Sequence, residues 1–106
     1  MRLYHNPRCS KSRQAVQLLK DEGIEFEEYL YLEHGVKDED METLASLDGI
    51  IRRKEKEYKE LGYEVTSKSD IVKLLKDKPR LLERPVLVKA GKAVIGRPPE
   101  DILTLL

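Results

Sequence analysis

The one cysteine of this 106-residue chain, Cys9, lies in the run Tyr4-His5-Asn6-Pro7-Arg8-Cys9-Ser10-Lys11-Ser12-Arg13, where a strand pattern hands over to a helical one. A thiol at that junction is placed for nucleophilic chemistry. The first turn of a helix presents unpaired backbone N–H groups and a partial positive charge, and both favour an anion, either the cysteine's own thiolate or a bound oxyanion. Arg8, Lys11 and Arg13 bring further positive charge close by, and a protonated His5 would add to it. Such surroundings lower a thiol pKa. From an unperturbed value of about 8.5, only about 3% is thiolate at neutral pH; a drop of two units makes roughly three quarters of it nucleophilic. A lone cysteine is often a small buried hydrophobe, but Cys9 is flanked by arginine, serine and lysine after a proline rather than by apolar residues.

A second set of residues suits an anion. Arginine holds its charge and offers planar pairs of donors, each charge-assisted bond being worth about 1.5–3 kcal/mol. Arg52, Arg84 and Arg97 all fall at boundaries between elements, where loops converge on a site. His34 beside Gly35 reads as a loop histidine with no ligand cluster around it, so no metal site is expected. Tyr29, Tyr31, Tyr58 and Tyr63 read as packing residues with solvated hydroxyls. Gly91 and Gly96 read as turn glycines, and no glycine-rich nucleotide loop is present.

The elements that must position these residues follow from periodicity. Met1 to His5 is a short strand ended by Asn6-Pro7; Ser10 to Glu22 has helical spacing with Ala15, Leu18 and Leu19 on one stripe and Gly23 as its stop. Ile24 to Leu32 is rich in β-formers, so the first third of the chain is a βαβ unit with parallel strands. Asp38 to Leu47 and Arg52 to Leu61 read as charged helices, and Ser67 with Asp70 has the form of a capping box before the Ile71, Leu74, Leu75 stripe. Val86 to Val88 and Ala93 to Ile95 about a turn at Ala90-Gly91 form a β-hairpin. Pro98-Pro99 then opens a short terminal helix docked through Ile102, Leu103 and Leu106. The expected fold is α/β and thioredoxin-like: a small mixed sheet built from the βαβ unit and the hairpin, with a helical insert over about 37–77 and a terminal helix. Residues 1–106 form a single domain.

Composition narrows the function classes. Twenty basic residues balance twenty acidic ones, so net charge implies no nucleic-acid partner. No apolar run approaches the ~20 residues of a membrane span or resembles a signal peptide. One cysteine makes no internal disulfide, which fits a reducing, cytoplasmic setting. A monomer is expected.

The run Tyr4–Arg13, the segment from Arg52 through Glu57-Tyr58-Lys59-Glu60-Leu61-Gly62, and the steps Glu83-Arg84-Pro85-Val86 and Gly96-Arg97-Pro98 together resemble the glutaredoxin-coupled, ArsC-type arsenate reductases, in the same order over nearly the whole chain. The resemblance implies that Cys9 is the nucleophile, that His5 stabilises its thiolate and that Ser12 hydrogen-bonds the sulfur. It implies Arg52, Arg84 and Arg97 as anion-binding arginines, with Arg53 an alternative to Arg52, and a cis bond before Pro85. It further implies arsenate or a similar oxyanion as substrate, no bound cofactor, glutathione as cosubstrate and glutaredoxin as partner. Ser10-Lys11 stands where familiar members have a small pair such as Gly-Thr.

Other readings meet specific residues. A phosphatase-type loop needs arginine six residues after the cysteine, and that position is Ala15; a dithiol oxidoreductase needs a second cysteine at position 12, which is Ser12. Two alternatives stand: a glutathione-dependent thiol reductase with another substrate, and an Spx-like, non-enzymatic regulator that binds RNA polymerase.

Overall fold

The computed structural model describes residues 1–106. Strand β1 (Arg2–Tyr4) leads into helix α1 (Ser10–Asp21) and then β2 (Glu27–Tyr29), which pairs with β1 in parallel, Leu3 opposite Glu28. Strands β3 (Val86–Lys89) and β4 (Lys92–Ile95) form the predicted hairpin, and β3 pairs antiparallel with β1, giving the order β2-β1-β3-β4. This is the thioredoxin-like mixed sheet expected from the element order. No helix is long and apolar enough to cross a membrane.

Strand alternation divides the core between two faces. Leu3 of β1 and Leu87 of β3 face one way, onto Ala15, Val16 and Leu19 of α1 and onto Ile102. Tyr4, Val86 and Val88 face the other way, onto the helical insert. A short helix α2 (Tyr31–His34) follows β2, and the insert contains α3 (Asp38–Ala45), α4 (Lys56–Lys59) and α5 (Lys68–Asp77). Met41, Leu44, Leu74 and Leu75 are its buried stripe, as the spacing predicts. The Ser67 hydroxyl caps α5 by accepting the Asp70 N–H at 3.1 Å.

Several expected boundaries move for identifiable reasons. The strand expected over Ile24–Leu32 shrinks to Glu27–Tyr29, because β2 is an edge strand and β1 has three residues to pair with it. The helix expected over Arg52–Leu61 is only Lys56–Lys59. Its first residues are drawn into extended pairing instead: Ile51 bridges Leu82, the Arg52 N–H donates to Leu81 O at 2.8 Å, and Glu83 N–H donates to Ile50 O at 2.7 Å. The terminal helix, Pro99–Leu105, is 3₁₀, with a three-residue repeat that buries Pro99 and Ile102 and leaves Leu106 exposed. A further 3₁₀ turn, Pro79–Leu81, escaped the sequence reading.

Two smaller expectations also change. The Tyr29 hydroxyl donates to Gly35 O at 2.6 Å and that of Tyr58 accepts the Val65 N–H at 3.0 Å, so neither is simply solvated. Gly96 is a close-approach glycine rather than a turn glycine: a Cβ there would lie 2.8 Å from Pro85 Cγ and 2.9 Å from Ile102 Cγ2. The Arg84–Pro85 bond is cis, as the resemblance implied, and so is Arg97–Pro98.

Candidate active site

The sheet topology brings the chemistry to one end. The Cys9 loop leaves the carboxyl end of β1, and Tyr31 follows β2 at the same end because the two strands are parallel. Antiparallel β3 starts there, opposite Tyr4, which places Arg84 beside the loop; β4 finishes there, and the Gly96 N–H donates to Pro85 O at 2.8 Å, which sets Arg97 across from Arg84. Arg52 is tied to the same region by its backbone bond to Leu81.

The loop itself is wound by its own polar groups. Asn6 Oδ1 accepts the Arg8 N–H at 3.0 Å, Asn6 O accepts the Cys9 N–H at 3.0 Å, and the Arg13 guanidinium donates to Pro7 O at 2.9 Å. Cys9 is the N-cap residue of α1, half-buried, and its side chain forms no capping hydrogen bond to the first turn. Burial is the largest single influence on this thiol and pushes its pKa up. It is outweighed by the nearby Ser12 backbone N–H, the charge of Arg84, the Lys11 backbone N–H and the charge of Arg97, and the thiol ends below its ordinary value. Arg97 Nη2 is 3.7 Å from Sγ.

The charges that do this are not those adjacent in sequence. Arg8 and Lys11 are exposed, and the Arg13 guanidinium is turned to the loop carbonyl. Side chains of a helix's first turn splay outward, whereas its N–H groups converge on the capping atom.

His5 and Ser12 occupy the buried side of the loop. His5 Nδ1 and Ser12 Oγ are 2.8 Å apart, and Ser12 Oγ also accepts the Asn6 N–H at 3.0 Å. The Ser12 hydroxyl is thus engaged with His5 and Asn6, and it is the Ser12 backbone N–H that favours the thiolate. Burial pushes the His5 pKa down, Glu28 opposes this and Arg13 reinforces it, so the imidazole is neutral at pH 7 and brings no cation to the thiolate.

The three arginines are not equivalent. Arg84 is largely buried, its Nη1 lies 3.3 Å from Glu83 Oε1, and its Nε–H is buried without any partner. Arg97 Nε donates to Arg84 O at 2.9 Å and lies 3.2 Å from the same Glu83 oxygen. Arg84 and Arg97 therefore meet at Cys9, clamped by one carboxylate that the sequence reading did not single out. Its only signal in the sequence was adjacency to Arg84. Arg52 stands farther off, paired with Glu55, and lines a neighbouring cleft of about 550 Å³ with His5, Asn6, Arg8, Tyr31 and Arg80. Arg53 turns away to Tyr58 and to Val65 O, which leaves Arg52 as the arginine of that segment facing the site. No cluster of three or more His, Cys, Asp or Glu side chains is arranged to hold a metal ion.

Comparison with known proteins places this geometry in context. The family model described as the ArsC family matches residues 4–105. The chain is 39% identical to an arsenate reductase of Neisseria meningitidis, covering 100% of this chain and 97% of that protein. It superposes on the solved structure of the arsenate reductase from Vibrio cholerae with a TM-score of 0.86 at 38% identity, covering 100% and 98% of the two chains. It is also 32% identical to the regulatory protein MgsR of Bacillus subtilis, over 96% of this chain and 86% of that one.

Proposed function

This chain belongs to the ArsC family, and on that premise we propose that it reduces arsenate to arsenite through a covalent Cys9–arsenate adduct, with glutathione and glutaredoxin as the reducing system in a reducing, cytoplasmic setting. The observation that carries this reading is the pairing of a lowered-pKa thiol with Arg97 at 3.7 Å and with Arg84, whose buried Nε–H has no acceptor in the protein. A buried charged donor without a partner is costly, and an anion oxygen is the group that satisfies it.

In the first step the Cys9 thiolate attacks the arsenic of dihydrogen arsenate. One arsenate oxygen takes up a proton and leaves as water, a sulfur–arsenic bond forms, and arsenic stays at +5. Arg84 and Arg97 offset the approach of one anion to another, and Arg52 supplies a third guanidinium from the cleft. In the second step the glutathione sulfur bonds to the Cys9 sulfur. The sulfur–arsenic electron pair departs with arsenic, which becomes +3 and leaves as arsenite, while the two sulfurs are oxidised to a mixed disulfide that glutaredoxin resolves. A chain with one cysteine needs this external second thiol.

The test is arsenite production from arsenate by purified protein with glutathione and glutaredoxin, beside Cys9→Ser. Turnover lost in the variant is the expected result. No turnover, with Cys9 alkylated rapidly below pH 7, would redirect the reading to a thiol reductase with another substrate. Slow alkylation as well would overturn catalysis and favour the polymerase-binding alternative, a regulatory role being in keeping with the similarity to the regulatory protein MgsR; a Cys9–position 12 disulfide switch is unavailable to this chain because position 12 is Ser12.

A further inference from the structure

Four tyrosines are buried: Tyr4, Tyr29, Tyr31 and Tyr58. Three of their hydroxyls are used within the protein. Tyr4 donates to Asp40 at 2.6 Å, Tyr29 to Gly35 O at 2.6 Å, and Tyr58 accepts the Val65 N–H at 3.0 Å. Tyr31 is 1% exposed, its hydroxyl bonds to nothing in the chain, and the oxygen is not sealed in the interior but opens on the cleft that the residue lines. A hydroxyl on an otherwise enclosed ring, with no partner in the protein, is completed by water or by a ligand in the space it opens on.

Its position says which. Tyr31 is the first residue of α2, directly beyond β2, at the end of the sheet that carries Cys9. Its ring is held beside that of Tyr4, centroids 6.1 Å apart, and the side chain lines the cleft with His5, Asn6, Arg8 and Arg52. Burial is the main reason the phenol is pushed up to about 12; the Arg84 and Arg52 guanidiniums oppose that rise, and Cys9 and Glu83 add to it. The hydroxyl is thus within electrostatic reach of the sulfur and of two of the three arginines, and it remains protonated, a donor, across the neutral range.

We propose that the Tyr31 hydroxyl is a substrate-binding donor of this site, hydrogen-bonding an oxygen of the oxyanion held between Cys9, Arg84 and Arg52. The inference rests on the oxyanion reading above and adds a residue to it. A neutral donor supplies a directed bond without more positive charge, in a site where Glu83 and Glu55 already offset the guanidiniums.

The experiment is protection of Cys9 from iodoacetamide by inorganic arsenate, measured on the parent protein, Tyr31→Phe and the exposed control Tyr63→Phe, with thermal melts of each. Phenylalanine keeps the ring packing, so the fold is retained. The expected result is that Tyr31→Phe needs about tenfold more arsenate for half-protection, the loss of one hydrogen bond to a charged group, while Tyr63→Phe matches the parent. In the parent protein carrying ¹³Cζ-labelled tyrosine, the resonance that Tyr31→Phe removes shifts on adding arsenate. Equal half-protection in parent and Tyr31→Phe, with that resonance unmoved, would overturn the inference alone. A parent protein that arsenate does not protect would overturn the oxyanion reading and this inference together.

Discussion

Cys9 gains its reactivity by two routes that differ in range. The Ser12 and Lys11 N–H groups act on the sulfur because any N-cap atom faces the first turn, and this contribution travels with the local sequence. Arg84 and Arg97 act through space from the far end of the chain. Replacing either with alanine removes a positive charge that favours the thiolate, so the thiol pKa rises. The pH midpoint of Cys9 alkylation should move up in Arg84→Ala and in Arg97→Ala, and stay in place in Arg8→Ala, whose side chain is exposed. A rise in Arg8→Ala equal to the others would show that neighbouring charge, not the tertiary cluster, tunes the thiol. The arginine identities were legible through resemblance. The carboxylate that clamps two of them was not, because nothing in residue type or spacing distinguishes Glu83 from the chain's other acidic residues.

Among the elements, the β3–β4 hairpin does the most to build the site, since its two open ends supply Arg84 and Arg97. Their spacing depends on how closely the chain after β4 approaches Pro85. Gly96 permits that approach; a methyl group would press on Pro85 and Ile102 at under 3.0 Å, and both are held by their surroundings. Gly96→Ala should destabilise the protein by about 1–3 kcal/mol, read as a lower denaturant midpoint, and should slow Cys9 alkylation as Arg84 and Arg97 separate. Unchanged stability would mean that the terminal 3₁₀ helix gives way freely. The hairpin, α1 and α5 were readable because each carries its own turn or cap and a full periodic stripe. The Arg52 segment was misread because its charged, helix-forming composition is overridden by pairing with Leu81 to Glu83, a contact no local pattern reveals.

Across the whole molecule, the sheet and the helical insert are joined opposite the site by a buried polar network. Asp40 of α3, 6% exposed, accepts from Arg2 Nη1 at 2.7 Å and from the Tyr4 hydroxyl at 2.6 Å. Asp40→Ala would leave the buried Tyr4 phenol without its acceptor while Arg2 keeps Glu27 and Glu39, and should cost about 1–3 kcal/mol of stability while leaving the alkylation rate of Cys9 unchanged. A slowed thiol in that variant would show that the insert's seating on the sheet reaches the site. The sequence by itself determined the thiol at a strand–helix junction, the parallel βαβ unit, the hairpin and the mixed-sheet class, because strand alternation, helical stripes, caps and turns are properties of residues close along the chain. Only the tertiary structure decided which cations reach the sulfur, that His5 is neutral and bound to Ser12, and that the Tyr31 hydroxyl stands unpaired at the cleft. Those outcomes depend on burial and on distances between residues remote in sequence, and both exist only once the sheet has closed on its helices.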